Sequence, residues 1–171
     1  MNAGFASVTT SKHAKRRVFL AALAALPFAS AISAPTTADP YLVARIARRY
    51  RVAPSAVERV VALAEKHFPL DPILLLAIVG VESSWRPWTV GSVGEVGLCQ
   101  VRPDLHGASA TELADPSVNI RVAARVLRGC LKRSHGDWAG AVARYNGQGE
   151  AAELYAARVL GERETLLMPD V

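Results

Sequence analysis

A run of nine residues without a polar member constrains the fold of this chain more than any other feature. Residues 73–81 read Ile-Leu-Leu-Leu-Ala-Ile-Val-Gly-Val, and Asp71 and Pro72 stand directly before them. Asp is a favoured N-cap and Pro a favoured first helical residue, so the pattern predicts a helix that begins at Pro72. A helix that is apolar on every side must be buried, and this one is too short to cross a membrane. We therefore expect it to be the buried axis of a globular domain.

Glu82 follows this apolar run, at the carboxyl end of the predicted helix. Burial disfavours an ionised carboxylate, and so does the negative end of the helix dipole. Both effects predict a raised pKa for the Glu82 carboxyl. A carboxylic acid that keeps its proton near neutral pH is suited to general acid catalysis, so Glu82 is the candidate catalytic residue.

The other segments after residue 40 also read as helices, and none shows the alternating pattern of a strand. Apolar residues recur at helical spacing, and Pro, Gly, Asp and Asn residues separate the segments. Helices are predicted at residues 41–50, 54–68, 117–134, 137–146 and 150–160. A glycine-rich loop, residues 89–97, follows Glu82. The sequence thus predicts a mostly α domain of about six to seven helices.

The excess of positive charge belongs to the N-terminal region. The chain has 20 Lys and Arg residues against 15 Asp and Glu residues, but four of the basic residues and none of the acidic ones precede residue 35. The four are Lys12, Lys15, Arg16 and Arg17, and an apolar segment with small residues follows them at 18–34. This composition predicts a signal peptide over residues 1–34, cleaved after Ala31 or Ala34. The alternative is an uncleaved amphipathic anchor.

Removal of residues 1–34 would leave a nearly neutral domain, with 16 basic and 15 acidic residues. The basic composition of the whole chain therefore does not predict binding to nucleic acid. We expect an exported protein, periplasmic or secreted, with no stable membrane span after processing. The segment from Lys15 to Leu20 also resembles a twin-arginine signal, which is an alternative to the general secretory (Sec) route.

The histidines and cysteines do not form a recognisable metal or nucleophile pattern. His67, His106 and His135 are widely separated and no Cys-x-x-Cys spacing occurs, so no metal or other cofactor is expected. Cys99 has apolar neighbours and no clear group to stabilise a thiolate, which argues against a cysteine hydrolase. Cys99 and Cys130 are open to two interpretations: a disulfide, which export permits, or two small buried hydrophobic residues.

Four short motifs occur in order between Glu82 and Gly147. They are Glu82-Ser83, Gly94-Glu95-Val96-Gly97-Leu98-Cys99-Gln100-Val101, Asp115-Pro116 with Asn119-Ile120, and Ala143-Arg144-Tyr145-Asn146-Gly147. Together they resemble the catalytic domain of soluble lytic transglycosylases, a lysozyme-like family that cleaves bacterial peptidoglycan. The resemblance implies a single lysozyme-like domain over residues 69–161, with the glycine-rich loop beside the cleft. Residues 35–40 would be a linker, 41–68 an N-terminal helical extension packed on the core, and 162–171 a tail.

The resemblance also implies that Glu82 acts alone as acid and base. It would protonate the β-1,4 glycosidic oxygen between N-acetylmuramic acid and N-acetylglucosamine while the substrate's N-acetyl group assists. The muramic 6-hydroxyl would then close a 1,6-anhydro end. Tyr145 would hydrogen bond Glu82 and orient it. Gln100 and Asn146 would line the cleft and Gly97 and Ser83 would support it, with Ser83 either contacting substrate or hydrogen bonding its own helix.

The chain departs from the family pattern around the glycine-rich loop. Cys99 replaces the family's Met, Glu95 its Ala, and Gly91 a frequent Ser. Glu95 is open to two interpretations: a second carboxylate that turns the site toward hydrolysis, or a solvated loop acid. Trp85 is expected in the core, whereas Trp88 is either a sugar-stacking residue or an ordinary loop residue.

Two other functions stay open from the sequence. One is a goose-type lysozyme, which would hydrolyse the glycan strand. The other is a non-catalytic module that binds peptidoglycan strands, although a pure binder has no need of a buried acid such as Glu82. Domains of this type often assist secretion or conjugation machinery that crosses the wall, but no residue pattern here identifies such a partner.

Overall fold

The fold is that of a computed structural model that describes residues 39–168; the predicted signal peptide at 1–34 lies outside the described residues. The described chain forms eight helices and no β-strand. They are α1 Pro40–Tyr50, α2 Pro54–His67, α3 Pro72–Ser83, α4 Pro103–His106, α5 Ala110–Leu113, α6 Pro116–Arg133, α7 Trp138–Asn146 and α8 Glu150–Leu167. The prediction of a mostly α domain is confirmed. None of these eight helices is long and apolar enough to cross a membrane.

α3 is the buried axis that the sequence predicts. All its residues from Pro72 to Gly80 are buried. Asp71 caps its start, because the Asp71 carboxylate accepts a hydrogen bond from the backbone N–H of Leu74 at 2.9 Å. α2 and α8 pack directly against α3, while α6 packs against α2, and α7 lies between α6 and α8. Each large side chain enclosed in this way contributes about 1.5–3 kcal/mol to stability.

The two N-terminal helices contribute to the same core. Their apolar faces, Leu42, Val43 and Ile46 on α1 and Val57, Val60, Val61 and Ala64 on α2, are buried. α1 packs against α2 and α8, and α2 packs against α3 and α6. The spacing of these residues matches a helix with one buried face.

α8 is longer than the sequence predicts, so the expectation of a tail from residue 162 is wrong. Glu162 is buried, and its carboxylate accepts hydrogen bonds from the Tyr50 hydroxyl at 2.5 Å and from Arg49 Nε at 2.9 Å. Arg163 Nε pairs with the Asp71 carboxylate at 2.7 Å. These contacts tie the last turns of α8 to α1 and to the start of α3. Glu162 could not be buried without them, because a buried carboxylate is stable only when it has hydrogen-bonding or charged partners.

One buried side chain, Asn119 of α6, fixes the end of the glycine-rich loop. Its Oδ1 accepts a hydrogen bond from the backbone N–H of Cys99 at 2.8 Å. Its Nδ2 donates to the carbonyl oxygens of Val96 at 2.8 Å and Leu113 at 2.9 Å. Gly97 has a φ of +82°, and a Cβ there would overlap the Asn119 amide. Glycine is therefore required at this position both for its backbone conformation and for its lack of a side chain.

Asn119→Ala should lower the free energy of unfolding by about 3 kcal/mol, since it leaves the Cys99 N–H and the Leu113 carbonyl without their partner and takes one of two hydrogen bonds from the Val96 carbonyl. Denaturant unfolding followed by circular dichroism measures the change. Arg121→Ala, on the exposed face of the same helix, is the control and should stay within about 0.5 kcal/mol of the wild type. Equal stability of the two variants would contradict the role of Asn119.

Candidate active site

A cleft of about 370 Å³ contains Glu82, which lies at the carboxyl end of α3. The glycine-rich loop and the residues just after it form one wall, and α4, α6 and α7 contribute the others. The lining residues are Glu82, Gly91, Ser92, Glu95, Gln100, Val101, Arg102, Leu105, His106, Val126, Tyr145 and Asn146. A concave site of this size, with a few polar groups that converge on it, is typical of ligand binding.

Glu82 has the environment of a general acid. Burial raises the pKa of its carboxyl to about 7, and the charge of Glu95 adds to the rise. The hydrogen bond from Tyr155 and the charge of Arg158 act in the opposite direction. The raised pKa predicted from the position of Glu82 is confirmed. An acid with a pKa close to neutral can both donate and accept a proton at physiological pH.

The tyrosine that contacts Glu82 is Tyr155 rather than Tyr145. The Tyr155 hydroxyl donates a hydrogen bond to Glu82 Oε1 at 2.7 Å. The Tyr145 hydroxyl donates to the backbone carbonyl of Cys99 at 2.9 Å, so the expected hydrogen bond between Tyr145 and Glu82 is wrong. The reason lies in the packing: α8, which carries Tyr155, packs along α3, whereas Tyr145 stands on α7 beside the chain that follows the glycine-rich loop.

Tyr155 lies outside the four motifs, although the sequence carries a partial signal for it. Ala152, Tyr155, Ala156 and Val159 form one buried face of α8, at the spacing of a helix that packs on a core. A tyrosine on such a face needs a partner for its hydroxyl. The spacing could therefore predict that Tyr155 is buried in the core, but it could not predict that its hydroxyl donates a hydrogen bond to Glu82.

Gln100 and Asn146 line the cleft, as the family resemblance implies. Gln100 Nε2 donates hydrogen bonds to the carbonyl oxygens of Thr89 at 3.0 Å and Gly97 at 2.9 Å. Its Oε1 lies beside Gly91 on the cleft wall. The side chain thus holds the loop with its donor end and keeps an acceptor at the wall of the cleft.

Ser83 and two tryptophans do not line the cleft. Ser83 is buried, and its hydroxyl donates to the Val79 carbonyl at 3.1 Å, so it supports α3 instead of contacting a ligand. Trp85 is in the core, as expected. Trp88 is 76% exposed and lies in a separate hollow with Val90. Nothing in this placement supports Trp88 as a sugar-stacking residue in the Glu82 cleft.

Cys99 and Cys130 are both buried, and both thiols are free. The disulfide interpretation is therefore wrong, and the structure agrees with two small buried residues. Cys130 Sγ instead accepts a hydrogen bond from Arg133 Nη2 at 3.2 Å. Burial raises the pKa of the Cys99 thiol well above its usual range, so Cys99 does not form a thiolate nucleophile near neutral pH.

Two carboxyl groups line the cleft, those of Glu82 and Glu95. Glu95 is half-buried rather than a fully solvated loop acid, and its Oε2 accepts a hydrogen bond from the backbone N–H of Val93 at 3.1 Å. Within residues 39–168, no three His, Cys, Asp or Glu side chains gather closely enough to hold a metal ion. The arrangement of the cleft supports proton transfer by Glu82 beside a second negative group.

Tyr155→Phe should raise the pKa of Glu82 above about 7. The Tyr155 hydroxyl stabilises the ionised form of Glu82 by donating to it, so its loss favours the protonated form. Tyr145→Phe is the control and should shift the pKa less, because that hydroxyl bonds the Cys99 carbonyl. Carbon-13 NMR of labelled glutamate measures both variants. A fall in the Glu82 pKa in Tyr155→Phe, or a larger rise in Tyr145→Phe, would contradict this assignment.

Two comparisons with known proteins agree with the geometry of this site. The family described as the transglycosylase SLT domain matches residues 59–163, a span that contains Glu82, the glycine-rich loop and Tyr155. A protein of Enterobacteria phage PRD1 named transglycosylase is 36% identical over 88 residues, which are 51% of this chain and 33% of that protein. The matched part of the chain thus spans about a third of the length of this curated relative. The match over residues 59–163 covers more than half of the chain, which belongs to the transglycosylase SLT domain family.

Proposed function

We propose that this protein is a peptidoglycan lytic transglycosylase. It cleaves the β-1,4 bond between N-acetylmuramic acid and N-acetylglucosamine and leaves a 1,6-anhydro end on the muramic acid. The observation that carries the proposal is Glu82, whose carboxyl has a pKa raised to about 7 within the cleft of an SLT domain. A half-buried acid at the end of an apolar helix is unfavourable when ionised, so its presence points to chemistry more than to stability.

Glu82 begins the reaction as a general acid. Its proton passes to the glycosidic oxygen, the bond from that oxygen to the muramic anomeric carbon breaks, and the oxygen leaves as the 4-hydroxyl of N-acetylglucosamine. The carbonyl oxygen of the substrate's own N-acetyl group bonds to the anomeric carbon as the first bond breaks, so the protein supplies no nucleophile. Glu82 is left as a carboxylate.

The same carboxylate then acts as a general base. It removes the proton of the muramic 6-hydroxyl, and that oxygen displaces the N-acetyl oxygen from the anomeric carbon and closes the anhydro ring. Glu82 regains its proton, so one acid completes the cycle. Tyr155 positions the acid, because its hydroxyl donates a hydrogen bond to Glu82 Oε1 at 2.7 Å.

Glu82→Gln should reduce the release of soluble fragments from purified peptidoglycan sacculi by at least about 100-fold, because an amide cannot donate or accept the catalytic proton. Wild-type activity should also fall as the pH rises through about 7, since Glu82 must start protonated. Glu58→Gln, on the exposed face of α2, removes the same charge far from the chemistry and should keep wild-type activity. Retained activity in a folded Glu82→Gln variant would exclude the mechanism.

The masses of the released fragments separate the proposed reaction from its rivals. Anhydro ends are one water lighter than the reducing ends that hydrolysis leaves. Reducing ends alone would indicate a goose-type lysozyme. Binding to sacculi without release of fragments would indicate a non-catalytic module, and either result would contradict the proposal.

We further propose that the protein is exported to the periplasm or beyond, where peptidoglycan lies, and that residues 1–34 direct it there. Support comes from the basic residues and the apolar segment of that region. Intact mass and N-terminal sequencing of the exported protein should place its first residue at Ile32 or Pro35. Recovery of the uncut chain with the membrane would indicate an anchor instead.

A secretion or conjugation machine that crosses the peptidoglycan wall needs the wall to be opened locally, and the proposed cleavage would supply such an opening.

A further inference from the structure

The reaction described above leaves one acidic side chain of the cleft, Glu95, without a role. Glu95 lines the cleft together with Glu82, at a position where the family pattern has Ala. No ion pair joins Glu95 to any cation of residues 39–168. A carboxylate that lines a cleft without an ion-pair partner is placed to act on a bound ligand.

The glycine-rich loop holds the Glu95 side chain in a defined position. The backbone N–H of Val93 donates to Glu95 Oε2 at 3.1 Å, and the N–H of Gly91 donates to the Glu95 carbonyl at 2.8 Å. A Cβ at Gly91 would overlap Glu95 Oε2 and would stand 2.8 Å from Gln100 Oε1. Glycine at 91 therefore leaves space for two acceptor oxygens to approach one point on the cleft wall.

A cation of the cleft, Arg102, feels the charge of Glu95 but forms its ion pair with another carboxylate. Arg102 also lines the cleft, but its Nη2 binds the Asp104 carboxylate at 2.5 Å. The charge of Glu95 reaches Glu82, because it contributes to the raised pKa of that acid. A fixed negative charge in a cleft partly removed from water stabilises positive charge that develops on a bound substrate.

We propose that Glu95 is a second catalytic residue, whose carboxylate stabilises the positive charge that develops on the muramic anomeric carbon and N-acetyl group. This inference rests on the proposed function. The positive charge appears when Glu82 protonates the leaving oxygen and the glycosidic bond breaks. It disappears when the 6-hydroxyl oxygen attacks and its proton returns to Glu82. Glu95 forms no covalent bond and transfers no proton.

Glu95→Gln tests the charge while it keeps the size of the side chain and an oxygen that can accept the Val93 N–H. We expect kcat for release of anhydro fragments from sacculi to fall by at least about tenfold, with a smaller change in KM, because the charge acts mainly on the transition state. Glu95→Asp keeps the charge and should retain more of kcat. Glu58→Gln is the matched control and should retain wild-type kcat.

The pH profile gives a second measurement that a damaged loop would not reproduce. The charged and titratable groups in electrostatic contact with Glu82 are Glu95, Tyr155, Arg158, Tyr145 and Cys99. Of these, Glu95 is the one whose charge raises the pKa of Glu82. Its removal should lower that pKa, so the loss of activity on the alkaline side should begin at a lower pH.

Wild-type kcat together with an unshifted alkaline limb in a folded Glu95→Gln protein would overturn the proposal. If Glu95→Gln does not fold, Glu95→Ala removes the same charge and installs the residue of the family pattern, with the same two expected changes. Failure of the proposed function would look different, because the wild type itself would then release no anhydro fragments.

Discussion

Residues 72–80 of α3 are buried on every side, and the other helices are arranged around that requirement. α2 and α8 cover α3 directly, and α1 is fastened to α8 through the buried carboxylate of Glu162. Glu82 extends from the end of this enclosed helix, so the packing that stabilises the domain also removes the acid from water. Burial at the end of the core helix is thus the main cause of the raised pKa of Glu82, and the charge of Glu95 adds to it.

The cleft wall formed by the glycine-rich loop and the residues just after it is held by a different interaction, the hydrogen bonding of buried backbone groups. Both backbone groups of Cys99 are bonded: its N–H donates to Asn119, and its carbonyl accepts from the Tyr145 hydroxyl. Two residues from two helices therefore fix the chain where it passes Glu82. Tyr145 acts on the shape of the wall, and Tyr155 acts on the acid itself.

The features of this site that depend on residues close together in sequence could be predicted, and those that depend on distant residues could not. The burial of α3 and the raised pKa of Glu82 were predictable, because an apolar run and the acid that ends it are adjacent in sequence. The partner of Glu82 was not, because Tyr155 is 73 residues away and its identity depends on how α8 packs. For the same reason Glu162 resembled part of a polar tail, although its partners on α1 lie more than 100 residues earlier. The place of Glu95 in the cleft likewise depends on the folded path of the loop.

The environment of Glu82 also links the stability of the domain to pH. The unfolded chain should ionise this acid near its ordinary pKa of 4.5, whereas the folded domain does so near 7. The folded state therefore binds the proton of Glu82 more tightly than the unfolded chain does. The contribution of this proton to the free energy of unfolding is fully present below about pH 4.5, and it falls by about 3 kcal/mol as the pH rises to about 7. That is a large fraction of the 5–15 kcal/mol typical of a domain. Protonation of Glu82 thus affects both the activity of the cleft and the stability of the fold, so a rise in pH through about 7 lowers both together.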